Sequence, residues 1–444
     1  MTNQYFNKTF KGLKYFLVAA FLLFSFPCCN NDGDDMNNND DDINIPGIEV
    51  KSSLDRVTFP VIDTADLQSQ VRGNNDFAFD IYRGVSEDED GNIFFSPYSI
   101  SIALAMTWAG AAGETESDMA DAMNFILTQE DLHPVFNHID LELAKRGEGA
   151  EGADGKGFRL NIQNSIWGQT GYTFLASFLD VLALNYGAGL RLLDFMSDPE
   201  GARVDINSWI EEVTEGRIEE LIPEGSLSAL TRLVLVNAIY FNAAWLNRFD
   251  EESPMGTFHT GAGEDVLVPM MHNQENMPYL AGNGFEAVEL LYDGGELSML
   301  VIMPEDLAGF ESGLTSELLA DIRDNMQDKE VNLSMPSWEL KGSTISLKEI
   351  LSGMGMERAF TAGTADFSGM DGTKDLFISD VLHQAFIKVN EEGTEAAAAT
   401  AVVMELTAMP VDVVYLRLDR PFIYLIQDKP TGQVLFLGRM IDPR

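Results

Sequence analysis

The chain has 444 residues, of which 45% are hydrophobic and 10% aromatic, so it can bury a sizeable core. Its 71 acidic and 28 basic residues give a formal net charge of −43, which phosphate backbones repel, and this excludes nucleic-acid binding. The five histidines and two cysteines form no Cys/His cluster and no HExxH pattern, so we expect no metal site, no cofactor and no intramolecular disulfide framework.

The N-terminus has the features of an export signal. Three lysines precede an apolar run over residues 15–26, which has the length of a signal-peptide core and is too short to span a bilayer. Cys28 and Cys29 follow directly, an arrangement that resembles a bacterial lipoprotein signal. Small residues normally precede the lipidated cysteine, whereas Pro27 precedes Cys28, so both cysteines stay candidates. A signal over residues 1–28 is therefore predicted, with a cleaved secretory signal as the alternative.

The segment after the cysteines is acidic and polar. Residues 30–42 contain six aspartates, and such a segment cannot bury enough apolar surface to fold. We therefore predict a disordered tether over residues 29–65. The acidic tract also resembles one that directs some lipoproteins of Gram-negative cells to the outer face of the outer membrane. This resemblance predicts a protein anchored there through its N-terminal lipid only, with a periplasmic or secreted location as the alternative.

Residues 66–444 contain no long linker and no internal repeat, so one large domain is expected. Apolar residues at helical spacing predict helices within residues 74–85, 99–108 and 118–127. A glycine-rich stretch over residues 145–157 carries acids where a phosphate site would need amides and cations, so we interpret it as a surface loop.

The second half of the chain is rich in strand patterns. Short apolar or β-branched runs lie between turn residues at 233–241, 297–303, 413–418, 422–426 and 434–437. Strands that pack with a helical layer without regular alternation indicate an α+β fold.

The segment over residues 391–410 is unusual. Its four consecutive alanines favour a surface helix by propensity. In a strand, however, Glu395 and Glu405 would lie on one face, while every second residue from Thr394 to Met404 would present a small, apolar or hydroxyl-bearing side chain on the other. No proline interrupts residues 391–409. This pattern suits a strand that enters an existing sheet.

Several segments resemble the serpin family in collinear order over residues 66–444. They are NIFFSPYSI at 92–100, VNAIYF at 236–241 with Trp245, HQAF at 383–386, VNEEGTEAA at 389–397, RPF at 420–422 and LFLGR at 435–439. The resemblance implies three β-sheets, about nine helices and an exposed reactive-centre loop. It also implies a monomeric protease inhibitor that acts as a suicide substrate: a protease cleaves the loop, and the loop inserts into the large sheet and traps the acyl-enzyme, as is known for serpins.

Family roles are carried over to matching positions. The hinge corresponds to Glu391, Glu392, Gly393, Thr394, Glu395, Ala396, Ala397, Ala398 and Ala399. The cluster that governs sheet opening corresponds to Ser96, Ser99, Asn237, Trp245 and His383. Because no GxSxG motif accompanies the serines, we expect no catalytic residues and no enzyme activity.

The reactive bond follows from family spacing. Counting fourteen residues from Thr394 places it between Thr407 and Ala408, with Met404 and Leu406 as alternative positions. The small Thr407 suits elastase-like or subtilisin-like proteases, and the alternative positions suit chymotrypsin-like or papain-like ones. A non-inhibitory serpin that acts as a binding module is the alternative function. Its usual mark is a bulky, charged or proline residue on the inserting face, and this chain has none between Thr394 and Thr400.

Overall fold

A computed structural model describes residues 46–155, 157–394 and 413–444. The α-helices in these ranges are α1 (Thr64–Asp88), α2 (Pro97–Trp108), α3 (Gly113–Ala122), α4 (Gln129–Leu143), α5 (Ala176–Tyr186), α6 (Pro199–Val213), α7 (Leu307–Ser312), α8 (Ser316–Asn325), α9 (Lys348–Leu351) and α10 (Ser368–Asp371). A π-helical turn (Ser352–Met356) and a 3₁₀ turn (Glu357–Phe360) follow α9. None of the helices in the described ranges has both the length and the apolar character needed to cross a membrane.

The strands of the same ranges form two hydrogen-bonded networks. They are β1 (Ile48–Val50), β2 (Ile93–Phe95), β3 (Arg159–Gln169), β4 (Leu190–Leu193), β5 (Leu233–Ala244), β6 (Met255–His259), β7 (Asp265–Ala281), β8 (Phe285–Leu291), β9 (Leu297–Pro304), β10 (Gln327–Pro336), β11 (Trp338–Lys341), β12 (Ile345–Ser346), β13 (Ile378–Asn390), β14 (Gly393–Thr394), β15 (Val414–Arg417), β16 (Phe422–Asp428) and β17 (Gln433–Met440).

The first network is an eight-stranded sheet in the order β1-β4-β3-β5-β14-β13-β11, with β12 also paired to β13. The second has nine strands in the order β15-β10-β7-β8-β9-β16-β17-β2, with β6 paired to β7. The α+β class is confirmed. The strands form two hydrogen-bonded networks, whereas the resemblance implies three sheets. The reason is that the 17-residue β7 pairs with β6 over its first part and with β10 and β8 further along, and so joins them.

The central strand β5 explains the layered core. All twelve of its residues are buried. Alternate side chains such as Leu235 and Ile239 join the main core, while Val234 and Val236 join a second cluster with Trp167 and with Trp209 of α6. A strand covered on both faces is apolar without alternation, which is why the sequence of β5 is hydrophobic on both faces apart from Asn237 and Asn242.

The tether predicted to extend to residue 65 is too long. Ile48–Val50 pair antiparallel with Leu190–Leu192 of β4, so they form the edge of the eight-stranded sheet. Arg56 then donates hydrogen bonds to Asn137 at 2.8 Å and to Asp140 at 2.7 Å on α4. Pairing with the edge of β4 and the hydrogen bonds from Arg56 to α4 attach residues 46–63 to the folded domain. The acidic run itself lies outside the described residues.

Two local predictions also change. The helix predicted over residues 118–127 ends at Ala122, because Asn124 adopts a left-handed φ of 53° that stops helical hydrogen bonding. The glycine-rich stretch is irregular, as predicted, but part of it packs on the sheet. Its Ala153 is buried, and the Ala153 backbone N–H donates to Asn242 Oδ1 on β5 at 2.9 Å.

Candidate functional site

The site lies along the line between β5 and β13, which we call the seam. These strands pair directly and in parallel from Leu233 and Ile378 up to Tyr240 and Phe386. Above that point the two-residue strand β14 lies between them, antiparallel to both. The predicted hinge therefore already enters the upper end of the large sheet.

Gly393 fits there because it has no side chain. It pairs with Ala244 of β5 and Asn390 of β13. A Cβ atom at this position would lie 2.1 Å from the carbonyl oxygen of Ala243 and 2.7 Å from the Cα of Ala244. Since both are backbone atoms of a central strand, no side chain can be accommodated without moving the hinge.

Thr394 already lies inside the sheet in the intact protein, and it is fully buried. Its hydroxyl forms a hydrogen bond with the hydroxyl of Tyr292 at 2.9 Å. Burial raises the pKa of Tyr292, so the phenol stays protonated and can donate. The ring of Tyr292 stacks on Trp245 with centroids 4.6 Å apart and an interplanar angle of 12°. Together these contacts form a closed pocket for a small residue.

The residues before Gly393 are held through their backbone. The carbonyls of Glu391 and Glu392 accept hydrogen bonds from the N–H groups of Phe249 and Trp245, both at 2.9 Å. The indole Nε1 of Trp245 donates to the Asn390 carbonyl at 2.9 Å, and the carboxylate of Glu391 accepts from the Ser253 hydroxyl. Trp245 therefore belongs to the hinge. It lies apart from the other members of the predicted sheet-opening cluster, because it follows Asn237 by eight residues, or roughly 26 Å of strand.

The other four members of that cluster lie together beneath the seam. His383 and Asn237 are partners in the β5–β13 register, and the His383 ring contacts Asn237 Oδ1 through Nδ1. Asn237 Nδ2 donates to Ser99 Oγ, and the Ser96 backbone N–H donates to His383 Nε2 at 3.0 Å. This chain of contacts links the first turn of α2 to both strands of the seam.

Asn164 was missed by the sequence analysis. It lies opposite Asn237 in the β3–β5 register, and its Oδ1 accepts from Asn237 Nδ2. The only sequence signal for Asn164 is the alternation in β3, where a polar residue occupies an inward position.

Tyr292 was missed as well, because an isolated tyrosine before a turn has no pattern that links it to a residue 102 positions away.

The protonation of His383 follows from its surroundings. The ring is fully buried, and burial lowers its pKa to about 3. Nδ1 faces an amide oxygen and Nε2 faces a backbone N–H, so only the tautomer with hydrogen on Nδ1 satisfies both. The imidazole is therefore neutral and structural at neutral pH.

This arrangement differs from a hydrolase site. The Ser96 hydroxyl donates to the Leu435 carbonyl at 2.6 Å, and it is the Ser96 backbone that reaches His383. Ser99 Oγ contacts amides only. Neither serine has the hydroxyl–imidazole contact that nucleophilic catalysis requires. In the part of the chain that the structure covers, no set of three or more His, Cys, Asp or Glu residues is arranged to hold a metal ion.

The remaining predicted positions lie outside the described residues. They are Cys28 and Cys29, the hinge residues Glu395, Ala396, Ala397, Ala398 and Ala399, the alternative positions Met404 and Leu406, and the predicted reactive residues Thr407 and Ala408.

Comparisons with known proteins agree with this geometry. The family model described as serpin (serine protease inhibitor) matches residues 72–443. The leukocyte elastase inhibitor of Equus caballus is 38% identical over 384 residues, covering 83% of this chain and 98% of that protein. An uncharacterised serpin-like protein of Thermococcus kodakarensis is 36% identical over 398 residues, covering 88% of this chain and 90% of that protein.

The native state of the thermophilic serpin Tengpin is similar in structure, with a TM-score of 0.77 and 28% identity over 88% of this chain and 97% of that one. With the family model, the relatives and the hinge geometry in agreement, this chain is a member of the serpin family of protease inhibitors.

Proposed function

We propose that this protein inhibits proteases as a suicide substrate, with a loop that is cleaved and then continues the strand that β14 begins. The observation that carries the proposal is the position of Gly393 and Thr394 between β5 and β13. A strand that has already paired with both neighbours needs only to extend along the same seam. The non-inhibitory alternative is disfavoured, because the first inserting side chain, Thr394, is small and its hydroxyl is hydrogen-bonded to that of Tyr292.

Extension of β14 has a defined register. Thr394 pairs with Ala243 and Val389, so counting down both strands brings Thr400 opposite Asn237 and His383 at once. These two residues contact each other across the seam in the intact protein. Insertion separates them, and the hydroxyl of Thr400 would enter on the face where their side chains lie, because paired residues of a sheet point to the same side.

The proposed target is an elastase-like or subtilisin-like serine protease that cuts between Thr407 and Ala408. Two features support it. The chain has no Lys or Arg between residues 391 and 416, so trypsin-like enzymes lack the cation that their pocket pairs with. The Equus caballus relative is named a leukocyte elastase inhibitor. Papain-like proteases acting at Leu406 or Met404 are the second choice.

We also propose that a lipid on Cys28 or Cys29 attaches the inhibitor to the cell envelope. Residue 46, where the described structure begins, is separated from Cys29 by sixteen residues, or up to about 55 Å of extended chain. That reach would hold the inhibitor close to the membrane and still leave a protease room to approach the loop.

The direct test is to mix the protein with pancreatic elastase and analyse the products on a denaturing gel. We expect a covalent complex that survives boiling in SDS, and a C-terminal peptide that begins at Ala408 by mass spectrometry. A peptide with another first residue would move the reactive bond and leave the mechanism intact.

The matched control is Thr394→Arg, which keeps the cleavage site and alters the hinge alone. An arginine would be buried against Tyr292 without a counter-charge, so insertion should be too slow to trap the acyl-enzyme. Cleavage without complex is the expected result. Stoichiometric trapping by this variant would contradict the proposal, as would cleavage of the wild-type protein with no complex at all.

A further inference from the structure

The glycine-rich stretch between α4 and β3 passes the upper end of the seam, and we call its residues 146–155 the strap. Its sequence, RGEGAEGADG, contains four glycines and no apolar side chain larger than alanine. Glycine loses the most conformational freedom when it is ordered, and two alanines bury little apolar surface in return. Hydrophobic burial therefore cannot hold the strap in place, and its position depends on specific contacts.

Polar contacts fix the start and the middle of the strap. Arg146 Nε donates to the buried carboxylate of Asp428 at 2.6 Å. The Glu151 N–H donates to Asp293 Oδ2 at 2.8 Å, and the Glu151 carbonyl accepts from the Ala244 N–H at 3.1 Å. Ala244 is the last residue of β5, so the strap is attached beside the top of the central strand.

From there the strap crosses to the outer face of β5, the face on which α6 packs further down. Phe241 and Ala243 belong to the main core, so Asn242 between them points to that outer face. The Ala153 N–H donates to Asn242 Oδ1 at 2.9 Å, and both residues are buried. The strap therefore covers the upper end of β5, directly beside the hinge.

Ala153 is the strap residue that meets the hinge. Its Cβ lies 3.0 Å from the point that a Cβ on Gly393 would occupy, so position 393 faces the strap. The next residue, Thr394, faces Tyr292 on the other side of the sheet. The hinge is thus held from both faces, by a hydroxyl hydrogen bond on the inner side and by Ala153 on the outer side.

We propose that the strap is a positioning element for inhibition, which keeps β14 paired between β5 and β13. The core fills the inner face of the sheet, so the outer face is the open side, and Ala153 covers Gly393 there. Ala153 is therefore the positioning residue.

The consequence for inhibition rests on the mechanism proposed above. Insertion that starts from a paired β14 only has to extend the strand. A free hinge must first be ordered, and no ladder hydrogen bonds yet offset the conformational freedom that it loses. The strap therefore favours trapping of the acyl-enzyme over its hydrolysis.

Ala153→Leu tests the strap, because it puts an isobutyl group where a methyl group already packs beside Gly393, and should push β14 out of the sheet. Ala144→Leu is the matched control, since Ala144 is exposed at the end of α4. Hydrogen exchange of the full chain should be at least tenfold faster in peptides that cover residues 389–394 for Ala153→Leu and unchanged for Ala144→Leu. Asp293→Ala removes the acceptor of the Glu151 N–H and should also speed exchange there.

The second measurement is the number of inhibitor molecules consumed for each molecule of pancreatic elastase inactivated. We expect Ala153→Leu to consume at least twice as many as the wild type, while elastase cleaves its loop no more slowly. Equal melting temperatures of the intact variant and the intact wild type exclude a general loss of structure as the cause.

Unchanged exchange in Ala153→Leu would overturn the proposal, and so would faster exchange with no change in the number of inhibitor molecules consumed. If the wild-type protein forms no complex with elastase, the inhibitory mechanism is wrong, and the exchange measurement still decides whether the strap holds the hinge. The placement of the hinge by the strap and the inhibitory mechanism can therefore fail independently.

Discussion

At residue 393 the hinge backbone approaches β5 more closely than any side chain allows. A Cβ would stand 2.1 Å from the Ala243 carbonyl oxygen, and neither β5 nor β13 can retreat, because both are buried inside the large sheet. The glycine is therefore required for close packing in the intact protein, independently of any role after cleavage.

Gly393→Ala should accordingly expel β14 from the sheet. We expect faster amide hydrogen exchange in peptides that cover residues 389–394, since the ladder bonds of β14 would be lost. Gly353→Ala is the control, because a Cβ at residue 353 meets no atom within 4 Å. Exchange that is unchanged in Gly393→Ala would mean that the hinge does not lie in the sheet in solution.

Buried histidines should make the intact protein less stable in mild acid. Burial holds the pKa values of His383 and His133 at about 3, whereas an unfolded histidine titrates near 6.5. Between these values the unfolded chain binds more protons, so stability is fully present above pH about 6.5 and is lost progressively as the pH falls toward about 3. At pH 5.5 the loss is about 1 kcal/mol for each histidine.

The measurement is the free energy of unfolding by denaturant at pH 7.5 and pH 5.5. His383→Gln will lower stability at both pH values, because the contacts with Ser96 and Asn237 change. The informative quantity is the difference in unfolding free energy between the two pH values, from which the share of His383, about 1 kcal/mol, should disappear. An undiminished difference would mean that His383 takes up a proton in the folded protein.

At the scale of the strand, the proposed insertion in the register of β14 would make Thr400 the residue that replaces the Asn237–His383 contact. Thr400→Val keeps the shape and removes the hydroxyl, so both partners would be left unsatisfied after insertion, at about 1–3 kcal/mol. The cleaved form should melt lower than cleaved wild type, while the intact forms melt alike. Equal melting of the two cleaved forms would contradict this register.

The elements that sequence predicts best are those whose pattern is local. The apolar run of β5, which only Asn237 and Asn242 interrupt, follows from strand geometry and from the cover on both of its faces. The contacts that complete the site are not local. Tyr292 meets Thr394, and Asn164 meets Asn237, only after distant strands have taken up their register. The strands that flank the seam were predictable from sequence, but the contacts of Tyr292 and Asn164 that complete the site were not.

The same distinction explains the error at the N-terminus. Composition predicts that the acidic run cannot fold, and it assigns everything up to residue 65 to the tether. Ile48–Val50 has too little apolar surface to be recognised alone, yet the unpaired edge of β4 supplies the hydrogen-bond partners that it needs. An edge strand is stabilised by its neighbour, and its own sequence carries little of that information.

For the whole molecule, the proposed mechanism requires that the intact fold is not the most stable arrangement that this chain can reach. Among the residues that the structure describes, Gly393 and Thr394 of the strand that could fill the seam lie in the large sheet, and below them β5 pairs with β13 directly. A full strand from Thr394 to Glu405 would add roughly 36–40 Å of ladder and bury Val402 and Met404. Cleavage of the loop is what allows this, because an intact loop is tied at its far end to β15.

Cleavage between Thr407 and Ala408 should therefore raise the melting temperature. Burial of Val402 and Met404 contributes about 1.5–3 kcal/mol each, and new ladder hydrogen bonds add to this. At about 1.2 °C per kcal/mol for a domain of this size, the side chains alone should raise the melting temperature by about 4–7 °C. Differential scanning calorimetry of the intact and the nicked protein measures this, with nicked Thr394→Arg as the form that should not gain. A nicked wild-type protein that melts no higher than the intact one would show that the loop does not insert, and would favour a serpin that binds partners without trapping proteases.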